Sequence, residues 1–188
     1  MSAVSIEQKN KIHPYKFNLW VAIGSMMMMF AGLTSAYIVK RNQANWTSFE
    51  IPNMFWVSTV VILLSSVTMY LSLRAFKARN VKQHRSLFFI TLVLGVLFIV
   101  TQLLGFRQLY NQGFTLQKNV AFSFLYVIVG LHAVHVIGGI VALIVMNIKN
   151  VRSKTRQYSA VPFEVMGTYW HFVDVLWLYL LLFLVMIK

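Results

Sequence analysis

Five long stretches of this 188-residue chain contain no Asp, Glu, Lys or Arg, and they constrain its fold more than any other feature. Each is longer than the roughly 18 apolar residues that mark a candidate membrane span. Because lipid offers no partners for open strand edges, each stretch predicts a helix. The chain is therefore predicted to be all-α, an integral membrane helical bundle of five transmembrane helices. The stretches are Phe17–Val39, Ile51–Leu73, Ser86–Phe106, Asn119–Ile148 and Val165–Ile187.

The composition excludes the soluble classes of protein. Hydrophobic residues make up 59% of the chain and charged residues only 11%, whereas about a quarter of a soluble domain is charged. A soluble domain of this size leaves too much of its surface exposed to hide so many apolar side chains. The chain has no cysteine, which excludes disulfide scaffolds and thiolate metal sites.

A single membrane domain is predicted over residues 1–188, because no linker is long enough to separate two domains. Its helices are expected at approximately 17–39, 52–76, 86–110, 119–148 and 161–187. The first apolar stretch is longer than the core of a cleavable signal peptide. It is therefore expected to stay in the protein as the first helix.

The cations of the chain predict its orientation in the membrane. Twelve of the 17 Lys and Arg residues lie in the N-terminal tail or within 74–85 and 149–156, which all fall on one side of a five-helix chain. The positive-inside rule places this side in the cytoplasm. The N-terminus is thus expected inside and the C-terminus outside. The same arrangement explains the net charge of +13 without a nucleic-acid partner.

A few polar residues within the apolar stretches are candidates for function. Asp174 lies deep in the fifth stretch, and His171 precedes it by three residues, so both share a helix face and are predicted to pair. Glu164 lies two turns earlier on roughly the same face. His132 and His135 have the same spacing on the fourth helix and are expected at similar depth if the two helices are adjacent.

Three interpretations of these residues stay open at this point. Hydrogen bonding between helices is favoured, because such contacts fix helix register without implying chemistry. Metal or haem ligation by the histidines is a second interpretation, although no ligand motif is recognisable. The third is a proton relay through Glu164, His171 and Asp174. The five tryptophans lie mostly near the ends of the stretches and are expected to be interface anchors.

Two segments resemble the last helices of subunit III of haem–copper cytochrome c oxidases. The run Phe163–Leu178, with its Tyr-Trp-His-Phe-Val-Asp core, is similar to the final helix, and Gly130–Gly139 to the preceding one. A weaker block from His13 to Tyr37 resembles the entry to the first shared helix. Five spans resemble the short bacterial form of the family.

The resemblance implies a non-catalytic subunit in the bacterial plasma membrane, whose haem and copper are held by partner subunits and not by this chain. Its partners would be subunits I and II and phospholipids. By position, His135 and Lys149 resemble family residues near a lipid head group. Glu164, His171 and Asp174 match polar positions of the last helix, and His132 is expected to be buried and structural.

The chain also departs from the family pattern at two positions. A glutamate often follows the serine that corresponds to Ser25, and a second one lies three residues after the glutamine that corresponds to Gln102. Here these positions are Met26 and Gly105. A proton-related role attached to those carboxylates is therefore not expected.

Two alternatives remain at the level of sequence: subunit III of a quinol oxidase, and a haem-binding membrane anchor of a quinone-linked dehydrogenase. The sequence does not determine the electron donor, the haem types of the partner, the bound lipid or membership of a larger respiratory supercomplex. A small transporter lacks support, because no inverted repeat is evident.

Overall fold

The computed structural model describes residues 14–41, 52–111, 120–152 and 160–187, and it is helical over nearly all of them, with no strand in these ranges. The described helices are α1 (Pro14–Arg41), α2 (Asn53–Lys77), α3 (Val81–Asn111), α4 (Val120–Arg152) and α5 (Val161–Met186). All five are long and apolar enough to cross a membrane. The prediction of an all-α membrane protein with five spans is confirmed.

Helix α3 begins at Val81, well before the start at residue 86 that the charge-free stretch indicated. The side chain of Asn80 caps it: Oδ1 accepts the backbone N–H of Gln83 at 3.3 Å, and Nδ2 donates to Gln83 Oε1 at 3.0 Å. An asparagine N-cap satisfies a backbone donor that would otherwise have no partner in the helix. The helix therefore extends past the apolar stretch, into a turn that carries Lys82 and Arg85.

The turn between α2 and α3 is short and tightly bonded. The N–H of Arg79 donates to the carbonyl of Phe76, and the N–H of Asn80 donates to the carbonyl of Ala75, both at 3.0 Å. This is the bonding of a Schellman motif, which needs a left-handed residue that is usually glycine. Here that residue is Arg79, at φ 57°. The turn joins α2 and α3 into an antiparallel hairpin.

Helices α2 to α5 form a closed four-helix bundle, in which α2 packs on α3, α3 on α4, α4 on α5 and α5 back on α2. Helix α1 lies outside this bundle and packs against α4 and α5. Within the described ranges α1 does not pack against α2 or α3.

A row of serines on α2 bonds the hairpin together. Ser58, Ser65 and Ser72 are spaced seven residues apart, so they lie on one face, and all three are fully buried. Gln102 Nε2 donates to Ser58 Oγ at 3.0 Å, Ser65 Oγ donates to the Thr91 carbonyl at 3.4 Å, and Ser72 Oγ lies 2.9 Å from His84 Nδ1. Small hydroxyl side chains let two helices approach closely in lipid while they satisfy polar partners.

The core of the bundle contains Trp170 and Trp177 of α5, which are 1% and 0% exposed. The indole N–H of Trp170 donates to Ser65 Oγ, and that of Trp177 donates to Thr59 Oγ1, both at 3.0 Å. The sequence-based expectation that the tryptophans are interface anchors is wrong for these two. They face inward because two hydroxyls on α2 receive their donors.

The other tryptophans agree better with that expectation. Trp20 and Trp56 are 64% and 50% exposed and lie near the ends of α1 and α2. Trp46 is outside the described residues.

Two glycines make room for the Trp170 indole. A Cβ atom on Gly95 of α3 would lie 2.8 Å from Cη2 of Trp170, and one on Gly139 of α4 would lie 3.0 Å from Cζ3. The indole thus fills the space between α3 and α4 while it bonds to α2. One side chain of α5 consequently contacts all three other helices of the bundle.

We expect Gly95→Ala to destabilise the chain, because the added methyl group must displace a rigid, hydrogen-bonded indole. Overpacking of this kind costs about 1–3 kcal/mol. Gly24→Ala is the matched control, since nothing lies within 4 Å of a Cβ atom there. Thermal unfolding of the full chain in detergent measures both. Equal unfolding temperatures for the two variants would contradict the proposed packing of Trp170.

Candidate functional site

A cluster of three charged side chains joins three helices at one end of the molecule. Glu164, in the first turn of α5, lies 3.0 Å from Lys16 Nζ of α1 and 3.6 Å from Lys77 Nζ of α2. The side chains of Lys16, Lys77 and Glu164 are 46%, 67% and 33% exposed. Exposed ion pairs contribute little to stability. Their main effect here is to leave one net positive charge at this end of α5.

His171 lies two turns further along α5 and bonds to α2. Its Nδ1 atom is 2.7 Å from Oγ of Ser66, and the ring is partly buried. The predicted hydrogen bond between His171 and Asp174 is not present. The i, i+3 spacing brings the two residues onto one face, but the imidazole turns toward a hydroxyl on the neighbouring helix.

Asp174 is only 2% exposed, and neither carboxylate oxygen has a hydrogen-bond partner among the described residues. The Ser66 hydroxyl lies near this carboxyl group, but its hydrogen bond at 2.7 Å is with His171. A buried polar group without a partner is costly and uncommon. Asp174 was predicted to be buried, and it is, but the predicted partner does not shelter it.

His132 is fully buried, and neither ring nitrogen has a partner within the ranges that the structure describes. Three aromatic rings surround it: its centroid lies 6.5 Å from that of Phe30, 6.0 Å from Phe98 and 5.2 Å from Trp177. These rings come from three different helices. His132 therefore fills an aromatic cage where α1, α3 and α5 meet α4.

His135 and Lys149 were assigned to a lipid head group by resemblance. His135 is partly buried, its Nδ1 bonds the Leu131 carbonyl of its own helix at 2.8 Å, and its carbonyl accepts the Tyr169 hydroxyl at 2.9 Å. Lys149 is exposed near the end of α4. The structure brings neither residue to His171 or Asp174 by a direct hydrogen bond, although α4 and α5 are adjacent.

His84 is a buried polar residue that sequence reasoning missed. It is 1% exposed, bonds Ser72 and lies within 5.5 Å, centroid to centroid, of Phe76, Phe88 and Phe163. Its position between Lys82 and Arg85 suggested a solvated turn. The seven-residue serine spacing on α2 could have revealed it, because Ser72 needs a partner on α3.

The arrangement as a whole bonds helices to one another. In the part of the chain that the structure describes, no three His, Asp or Glu side chains are grouped closely enough to hold a metal ion. Of the described histidines, only His132 and His135 are neighbours, and both lie against Phe30. His84, His135 and His171 each use Nδ1 for a bond within the chain. The charged cluster around Glu164 lies at the surface.

Residues 15–187 match the profile of the family described as cytochrome c oxidase subunit III. The subunit 3 of cytochrome c oxidase from Bacillus sp. (strain PS3) is 28% identical over 181 residues, which are 94% of this chain and 85% of the relative. The probable subunit 3 from Nocardia farcinica is 32% identical over 165 residues, covering 85% and 80%. The subunit 3 from Corynebacterium diphtheriae is 31% identical over 166 residues, covering 84% and 80%.

We expect Ser66→Ala to destabilise the chain and Asp174→Asn to leave it at least as stable. The first change removes the hydrogen-bond partner of His171, which costs about 0.5–1.5 kcal/mol. The second replaces a carboxyl group that has no partner among the described residues with a neutral amide and keeps the shape of the side chain. Thermal unfolding in detergent distinguishes them. If Asp174→Asn lowered the unfolding temperature more than Ser66→Ala does, the result would instead support a pairing of Asp174 with His171.

Proposed function

Since the chain belongs to the cytochrome c oxidase subunit III family, we propose that it is the non-catalytic subunit that stabilises subunit I of a bacterial terminal oxidase and holds phospholipid beside it. As a member of that family it forms part of a haem–copper oxidase complex with other subunits, and it is a multi-pass protein of the plasma membrane. We propose subunits I and II as its direct partners. The complex would reduce oxygen and move protons, while this chain supports sustained turnover.

One observation supports the proposed structural role most directly. Several described polar side chains in the bundle bond one helix to another, as in Ser58–Gln102, Ser66–His171 and Trp177–Thr59. The outside of the bundle is apolar on every helix, as the exposed Met28, Val60, Leu103, Val134 and Leu182 illustrate. Such a surface suits lipid and the spans of neighbouring subunits.

We propose that this chain holds no haem or copper of its own. A haem ligand needs a ring nitrogen directed at an open space, whereas His132 is enclosed by three aromatic rings. A haem-binding anchor of a dehydrogenase is accordingly not favoured, nor is a quinol oxidase, because the relatives are named as cytochrome c oxidase subunits. A visible spectrum of the purified chain tests this, since a Soret band would contradict the proposal.

His135 and Lys149 are proposed to contact one phospholipid at different depths. They are fourteen residues apart on α4, which corresponds to about 21 Å along the axis. A single head group cannot reach both. Lys149 would therefore bind the phosphate, and His135 would lie against the acyl chains. Glu164, His171, Asp174 and His132 are proposed to act in helix packing and not in chemistry.

We expect removal of this chain to leave an oxidase that begins turnover but loses activity faster over repeated cycles. The reason is that subunit I would lose a supporting surface and its bound lipid. Oxygen consumption by the purified complex, with and without the chain, measures the effect, and co-purification identifies the neighbours. Unchanged activity over many cycles, with subunit I equally abundant, would contradict the proposal.

The orientation is proposed from the cation distribution: N-terminus in the cytoplasm and C-terminus outside. Because the chain has no cysteine, a single introduced cysteine shows on which side of the membrane its position lies. We expect Asn111→Cys, at the end of α3, to react with a membrane-impermeant maleimide in intact spheroplasts. Ala78→Cys, in the turn between α2 and α3, should react only after permeabilisation. The reverse pattern would contradict the orientation.

A further inference from the structure

The side chain of His84 is held between α2 and α3 by a single serine. Its Nδ1 atom lies 2.9 Å from Oγ of Ser72 and 3.0 Å from the Ser72 carbonyl oxygen. The Ser72 hydroxyl in turn donates to the His84 carbonyl at 3.2 Å. Because a carbonyl oxygen can only accept, and the hydroxyl uses its own proton elsewhere, Nδ1 must be a donor. The ring therefore carries a proton on Nδ1.

The other ring nitrogen, Nε2, lies in apolar surroundings. It has no hydrogen-bond partner among the described residues, and His84 is 1% exposed. The ring centroids of Phe76, Phe88 and Phe163 lie 5.0 Å, 5.5 Å and 4.9 Å from its own. We call these three rings, which come from α2, α3 and α5, the His84 box. A second proton, on Nε2, would bury a charge without an acceptor, which is costly. His84 is thus neutral while the box is closed.

The charged residues near the His84 box do not supply a counter-ion for a second proton. Arg85 of α3 and Lys77 of α2 are cations, and α4 carries another cation, Lys149, near its end. Glu164 of α5 is the described carboxylate at this end of the molecule. Its two oxygens already lie 3.0 Å and 3.6 Å from lysine ammonium groups of α1 and α2. Among the described residues a doubly protonated His84 therefore has no anion to pair with inside the closed box.

We propose that His84 is an acid-sensitive switch: when Nε2 takes up a proton from water, the His84 box opens and the adjoining ends of α2, α3 and α5 separate. The proton binds to the open form and not to the closed one, so a lower pH shifts the equilibrium towards the open form. This inference goes beyond the proposed function, because it concerns one side chain within this chain and requires no partner subunit. The proposed orientation places the switch on the cytoplasmic side.

The His84 box lies where helices end, so it can open without unfolding of the bundle. His84 is in the first turn of α3, Phe163 is in the first turn of α5, and Phe76 is the last residue but one of α2. The charge-free stretch of α3 begins only at Ser86, so the box lies at the edge of the apolar region. Helix ends open at a lower free energy than a packed core does. The switch therefore changes one end of the bundle.

The test measures this opening with one cysteine in the intact oxidase complex. Ala75 is 6% exposed, and its carbonyl accepts the N–H of Asn80 that closes the turn between α2 and α3. Since the chain has no cysteine, Ala75→Cys gives it a single thiol, which a maleimide reaches when this end opens. Mass spectrometry quantifies the label on this chain. Each rate is divided by the rate for N-acetylcysteine at the same pH, which removes the pH dependence of the thiol itself.

We expect the corrected labelling rate of Ala75→Cys to rise about tenfold from about pH 7.5 to about pH 5.5, since an exposed imidazole takes up its proton near about pH 6.5. In the same background, His84→Asn keeps an N–H donor for Ser72 but has no nitrogen that takes up a proton, so its rate should stay level. His84→Phe fills the box without a titratable group and should also stay level. It decides the question if His84→Asn does not assemble.

His171→Asn, again in the Ala75→Cys background, is the matched control. It removes a histidine that lies outside the His84 box and should keep the rise. Loss of the rise in this control, with the rise retained in His84→Asn, would overturn the inference and assign the effect to His171.

Two other outcomes would overturn the inference. One is an equal rise in Ala75→Cys with and without His84→Asn. The other is a level corrected rate in Ala75→Cys alone, a result that needs no second variant. Oxygen consumption over repeated cycles is followed in the same samples. The proposed function fails if turnover does not depend on the presence of this chain, whatever the labelling shows, so the two failures are distinguishable.

Discussion

The bundle depends on two indole hydrogen bonds between α5 and α2. Trp170 and Trp177 are seven residues apart, so both lie on one face of α5, and each donates to a hydroxyl on α2 at 3.0 Å. In lipid there is no hydrophobic driving force between helices, so close packing and such bonds decide how helices associate. The inward direction of this face also accounts for the burial of Asp174, which lies between the two tryptophans.

Much of the fold follows from the sequence, because charged residues are too costly in the middle of a bilayer. The charge-free stretches therefore predict five spans. They do not locate the helix ends, as Val81 illustrates: a helix that leaves the membrane can continue through Lys82 and Arg85 once Asn80 caps it. Capping depends on local hydrogen bonds and not on hydropathy.

The direction in which each helix faces could not be predicted. Lipid and protein interior are both apolar, so hydropathy does not distinguish the inner face of a membrane helix from the outer one. For this reason Trp170 resembled an interface anchor, and His171 was paired with Asp174 on its own helix although its partner, Ser66, lies on α2. The seven-residue spacing of the serines on α2 indicates the inner face of that helix, but hydropathy does not reveal it. A serine in an apolar stretch is easily interpreted as a small residue without a bonding role.

The position of α1 has a consequence for biogenesis. This helix is synthesised before α2 to α5, yet over the described ranges the surfaces on which it packs belong to α4 and α5, which follow it in the chain. Helices α2 and α3, by contrast, pack on each other and can do so as soon as both are inserted. Within the described part of the chain α1 therefore has no helix to pack on until α4 and α5 are inserted, so we expect its docking on the bundle to come late in assembly.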